Sequence, residues 1–192
     1  MSGLKYFILD VETNGLSAQI HEVSQLSIIR CSDLVQLSRY VKIEHPEKTS
    51  REALIKTGRT YKDLLKGDAK LEVIDRVEKF LAEDGSHPDE RCGIGHNVSF
   101  DRRFLKAMWE SVGKKFPVNN WLDTRPMAKK YAMKLGLEKP SMTLENILKF
   151  AEIKGFANFH NAIDDTRNLY LFWKKSVDLG IDYLDCIKRD ED

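Results

Sequence analysis

The sequence predicts an α/β fold in which a mixed sheet carries helices on its faces. Three observations predict it. Three β-forming segments come first, joined by short turns. Amphipathic helical segments then alternate with short apolar stretches. Finally, 192 residues with 42% hydrophobic and 32% charged content suit one domain with a sizeable core.

The first segment, Lys5–Leu9, has the composition of a buried strand and runs into Asp10-Val11-Glu12-Thr13-Asn14-Gly15-Leu16. Asn14-Gly15 reads as a turn, with a glycine able to take a positive φ. Glu22–Arg30 alternates as a second strand, and Leu34–Glu44 gives a third after the Ser32-Asp33 turn. The three together predict an antiparallel meander. Ser50–Lys56 reads as a short helix stopped by Gly58, and 57–67 as irregular or short helix. Ala69–Glu83 places Leu71, Ile74, Val77, Phe80 and Leu81 at helical spacing. A loop at 84–89 leads to a short strand, Arg91–Gly95. Ser99–Val112 is a second amphipathic helix, and Asn120–Leu122 a brief strand ending at Asp123. Helices follow at Thr124–Leu135, Thr143–Phe150 and Asn161–Val177, the first two separated by a loop over 136–140. The charged tail, 186–192, reads as frayed.

Net charge is +1, so any nucleic-acid signature must be local. From Ser99 to Pro140 there are ten Lys or Arg against four Asp or Glu, a basic stretch suited to holding phosphates. No apolar run is long enough to span a membrane, and 1–5 leads straight into a strand rather than a signal peptide. Cys31, Cys92 and Cys186 form no Cys-x-x-Cys pair, which predicts reduced thiols in a cytoplasmic protein.

Three motifs carry chemistry. Asp10 and Glu12 lie two apart on a strand and so share a face. Two carboxylates held together repel, and a divalent cation relieves the repulsion. Gly95-His96-Asn97-Val98-Ser99-Phe100-Asp101 sits at a strand-to-helix junction, placing Asp101 in the first turn, where the helix dipole favours an acid. His96 reads as structural, bonding the loop beside Asn97. In His160-Asn161-Ala162-Ile163-Asp164-Asp165, a histidine before a helix and an acid inside it can aim at one point. Alone, each motif is an ordinary surface feature.

In this order, Asp-x-Glu, His-Asn-x-x-Phe-Asp and His-x-Ala-x-x-Asp resemble the DEDDh family of 3′–5′ exonucleases, which includes the epsilon proofreading subunit of DNA polymerase III, RNase T and oligoribonuclease. The resemblance covers nearly the whole chain; Asp123-Thr124 matches as well, and Gln25 replaces a frequent Glu. It implies an RNase H-like fold with a central mixed five-stranded sheet, and a single exonuclease domain over 1–192. It implies that Asp10, Glu12, Asp101 and Asp165 hold two divalent ions, Mg²⁺ or Mn²⁺, and that His160 is the general base. The family spacing selects Asp165 over Asp164. Two such ions, about 4 Å apart, suit an in-line displacement at phosphorus. The resemblance also implies that Thr13, Leu16 and Phe100 line the terminal-nucleotide pocket, with Leu16 and Phe100 as core residues the competing reading. The implied substrate is the 3′ end of single-stranded nucleic acid, cut to nucleoside 5′-monophosphates. DNA is slightly favoured over RNA, while Asp101-Arg102-Arg103-Phe104-Leu105 and Asp164-Asp165 point towards oligoribonuclease and, with it, a homodimer. A proofreading role would need a polymerase partner. The competing class is an inactive nucleic-acid-binding or polymerase-docking module.

Overall fold

The structure, a computed structural model, describes residues 3–138, 141–156 and 158–190. Met1 and Ser2, Lys139 and Pro140 of the expected loop, and the last two residues of the expected tail lie outside the described residues.

β1 (Lys5–Thr13), β2 (Val23–Arg30) and β3 (Gln36–Tyr40) form the expected antiparallel meander. Helices α1 (Arg51–Thr57), α2 (Tyr61–Leu64) and α3 (Lys70–Ala82) follow. β4 (Arg91–Gly95) adds parallel to β1, and β5 (Asn120–Asp123) parallel to β4. Between and after them run α4 (Val98–Glu110), α5 (Thr124–Lys134), α6 (Leu144–Phe150) and α7 (Ala162–Asp178).

Among the described residues the sheet has six strands, not five, in the order β3-β2-β1-β4-β5-β6. The sixth strand, β6 (Ile187–Arg189), comes from the segment expected to fray. It pairs antiparallel with the free edge of β5, and the Asp190 carboxylate then anchors it. Asp190 accepts a hydrogen bond from Trp121 Nε1 at 3.2 Å and pairs with Lys106 at 2.8 Å and with Arg102. Lys130 likewise bonds the Asp182 carbonyl, and Lys134 the Leu179 and Gly180 carbonyls. Much of the basic stretch therefore holds the C-terminal segment down instead of standing free for phosphate. Asp190→Ala should destabilise the fold by about 1–3 kcal/mol, because it strands two half-buried cations and the indole donor. Urea unfolding with an unchanged midpoint would contradict this.

β1 is central because both its faces are apolar, and strand alternation sorts its side chains between two cores. Phe7, Leu9 and Val11 pack with Val73, Val77, Phe104, Leu105 and Trp109 on the α3–α4 side. Ile8 packs with Tyr131, Ile147, Leu169 and Phe172 on the α5–α7 side. Asp10 and Glu12 continue the Ile8 row, so they face α7. β1 runs on past its last parallel pairing with β4, at Ile8–Ile94, before α4 begins. The two acids thus stand at the open carboxyl end of the parallel pair, where α/β sheets place their ligands.

Candidate active site

Asp10, Glu12, Asp101, His160 and Asp165 all line one cleft of about 850 Å³. Each arrives for a local reason. Asp10 and Glu12 come from the β1 alternation described above. Asp101 lies one turn into α4, is 3% exposed, and its Oδ1 accepts the Val11 amide at 3.1 Å. Its place is therefore set by a bond across to β1 as well as by the expected helix dipole. Asp165 lies in the first turn of α7, which Asn161 caps by accepting the Ile163 amide at 3.1 Å.

Gln25, opposite Glu12 on β2, fixes that helix start. Its Nε2 donates to Asn161 Oδ1 at 3.2 Å, and its Oε1 accepts the Ala162 amide at 3.4 Å. One residue earlier, His160 takes a left-handed backbone (φ 65°), and its amide donates to Asp165 Oδ2 at 2.9 Å. Asp165 Oδ1 is buried with no hydrogen-bond partner among the described residues. A donor atom each from Glu12, His160 and Asp165 lie within 4.8 Å of one another. Asp164 does not line the cleft; it pairs with Arg167 at 3.3 Å on another side of the helix.

Burial and mutual repulsion raise the acids. Burial, then the charges of Asp101, Glu12 and Asp165, push Asp10 well above the usual carboxylate range. Burial, then Asp165, pushes Glu12 up to about 7. Burial outweighs the Val11 bond at Asp101, which is raised to about 8, and lifts Asp165 to about 6. Burial first, and then the nearby Lys56 charge, lower His160. The acids are thus short of positive charge, and one carboxylate oxygen is buried and bare. Oxygen-rich donors of this kind fit hard divalent cations.

Thr13, Leu16 and Phe100 also line the cleft. Leu16 is 78% exposed, which removes it from the core. Phe100 is half-buried against Phe104, ring centroids 4.8 Å apart, with its remaining surface in the cleft. The Thr13 hydroxyl donates to the Gly15 carbonyl at 2.6 Å and closes the turn. Gly15 does not have the expected positive φ; it is needed because a Cβ there would fall 2.1 Å from the His21 ring. His96, expected to bond its own loop, lines the cleft and finds its partners elsewhere. Its ring bonds Thr124 Oγ1 at 3.0 Å and the Met142 carbonyl at 2.7 Å, tying α5 to the cleft wall before α6.

Two cleft cations, Lys56 on α1 and Arg125 on α5, escaped the motif reading. Arg125 is held by Asp123 at 2.7 Å, so the Asp123-Thr124 pair was the available signal. Lys56 carries no such signal, since only the fold brings α1 over the β1 acids.

The family model described as exonuclease (RNase T) matches residues 7–172. Among curated relatives, DNA polymerase III PolC-type of Staphylococcus haemolyticus is 25% identical over 170 residues, covering 88% of this chain and 11% of that protein. The same enzyme of Halalkalibacterium halodurans is 26% identical over 120 residues, covering 62% and 8%. The chain thus spans about a tenth of the length of these relatives. Among solved structures, E. coli exonuclease I in complex with a dT13 oligonucleotide superposes with a TM-score of 0.73 at 20% identity, over 91% of this chain and 40% of that one. Cell-death related nuclease 4 superposes with a TM-score of 0.75 at 14% identity, over 93% and 65%. The shared fold is the RNase H-like exonuclease fold.

Proposed function

Because this chain belongs to the RNase T-type exonuclease family, we propose that it is a metal-dependent 3′–5′ exonuclease acting on single-stranded nucleic acid, with DNA the favoured substrate. The observation that carries the proposal is the meeting in one cleft of four acids and one histidine from three separate segments of chain.

Asp10, Glu12, Asp101 and Asp165 would hold two divalent ions, Mg²⁺ or Mn²⁺. When bound, such ions offset the charge of the phosphodiester and make water a better nucleophile. His160 takes the proton of the attacking water on a ring nitrogen; burial and Lys56 keep the ring neutral, ready to accept it. Phe100 offers an aromatic face to the terminal base or sugar, and the exposed Leu16 lines the same cleft. Lys56 and Arg125 supply positive charge on the cleft walls for the strand's phosphates. The oligonucleotide on exonuclease I supports DNA, and the PolC-type relatives support a polymerase setting.

The test is digestion of matched 5′-labelled single-stranded DNA and RNA with Mn²⁺ or Mg²⁺, with Asp10→Ala as control. A ladder shortening from the 3′ end, absent in the control, is expected. RNA-selective laddering would make it an exoribonuclease. Binding without cutting would make it a docking module. In the same assay, Asp165→Ala should abolish cutting and Asp164→Ala should leave it within about threefold, the latter losing a partly buried ion pair with Arg167 that lies off the cleft. The reverse outcome would move the metal-binding role to Asp164.

A further inference from the structure

We propose that Gln25 is a positioning residue for cutting: its side-chain amide, and not a carboxylate, sets where His160 and Asp165 stand relative to Glu12. The inference rests on the exonuclease reading and adds to it a group that does not line the cleft.

Gln25 stands where the two halves of the site meet. On β2 it is the direct partner of Glu12 on β1. It is 2% exposed, so its amide must find partners within the protein. Both ends of that amide are spent on the start of α7. Nε2 donates to Asn161 Oδ1 at 3.2 Å, and Oε1 accepts the Ala162 amide at 3.4 Å. The Asp165 amide donates to the Asn161 carbonyl at 2.9 Å, and the His160 amide to Asp165 Oδ2 at 2.9 Å. Gln25 thus grips the short stretch of chain from which both His160 and Asp165 project.

Asn161 dictates the amide. Its Oδ1 caps α7 by accepting the Ile163 amide at 3.1 Å, so oxygen is what it presents to Gln25. That oxygen needs a donor opposite, and the Ala162 amide needs an acceptor. A carboxamide offers both. A carboxylate at position 25 would set acceptor against acceptor and bury a further charge beside Glu12. The rest of α7 docks without Gln25. Ser27 and Gln36 bond the Thr166 hydroxyl at 2.9 and 3.0 Å, and Leu169, Phe172 and Trp173 lie in the core. Losing Gln25 therefore shifts the helix start and leaves the helix in place.

The test is single-turnover digestion, with Mn²⁺, of the strand that wild type cuts. The variants are Gln25→Met, Gln25→Glu and Gln25→Glu/Asn161→Ser, each assayed well below its melting temperature. A misplacement of about 1 Å costs on the order of a hundredfold in rate. Gln25→Met and Gln25→Glu should each cut about thirty- to a hundredfold more slowly, with half-saturation by the strand within about threefold of wild type. A serine hydroxyl caps a helix and also donates to a carboxylate, so the double variant should regain about tenfold over Gln25→Glu. Hydrogen exchange of the metal-free protein gives a readout that needs no cutting. The Ala162 and Ile163 amides should exchange about tenfold faster in Gln25→Met, while Leu169 and Phe172 keep their protection. Wild-type cutting by Gln25→Met, a double variant no faster than Gln25→Glu, or loss of protection along the whole of α7 would each overturn the inference. A wild type that cuts nothing, with the exchange result as expected, would sink the exonuclease reading and leave the hold of Gln25 on the helix start standing.

Discussion

Asp10→Asn is expected to lower exonuclease activity by about three decades or more, and to raise the stability of the metal-free protein at pH 8. The two effects have opposite signs because they share one cause. Asp10 is half-buried and crowded by Asp101, Glu12 and Asp165, and that crowding favours a cation and disfavours an empty site. The amide keeps the shape and removes the charge. Relief of the repulsion should be worth about 1–3 kcal/mol, or roughly 2–4 °C of melting temperature per kcal/mol for a chain of this size.

The pH dependence follows with its sign. All four acids have raised folded-state pKa values, with Asp165 near 6, Glu12 near 7 and Asp101 near 8. The folded protein therefore keeps protons that the unfolded chain has already lost. This contribution to stability is fully present below about pH 4, the unfolded carboxylate range, and is lost as pH rises through about 6 to 8. Metal-free wild type should melt lower at pH 8 than at pH 5. Mn²⁺ should reverse the loss, since it binds the deprotonated acids. A melting temperature flat across this range, or lower in Asp10→Asn at pH 8, would remove the strained-acid account.

His160→Asn is expected to cost two to four decades of rate, with Mn²⁺ affinity nearly intact. The reasoning is geometric. His160 is exposed on the cleft rim, while four carboxylates remain to hold the hard cation. Single-turnover digestion at saturating Mn²⁺ isolates the loss. Recovery of wild-type rate on raising Mn²⁺ further would mean that the histidine serves the metal and not the proton.

The parts of this architecture that were legible in the sequence are those with local causes. Alternation put Asp10 and Glu12 on one face; the family resemblance implied Asp165 over Asp164, and of the two only Asp165 lines the cleft. What escaped depends on distant partners. β6 is three residues, two of them charged, and becomes a strand only because β5 offers an edge and Asp190 finds two cations and an indole. Lys56 belongs to the cleft because α1 happens to cross it. Gly15 invited a reading from turn propensity, whereas its cause is steric, the His21 ring lying over it. The basic stretch was counted correctly, yet a count does not reveal that Lys106, Lys130 and Lys134 are already spoken for.

Gln25 reaches across 136 positions of chain to Asn161, and through it secures the start of α7. The order of synthesis gives that bond a consequence. A growing chain displays Asp10 and Glu12 before Asp101, and Asp101 before the segment bearing His160 and Asp165. Until it docks on β2, the acids of β1 and α4 stand without His160 and Asp165 beside them. Closing so distant a contact is also slow relative to local helix formation. On the exonuclease reading, copies that stop short of the segment carrying α7 should therefore be inactive, because the site is complete only once that segment docks.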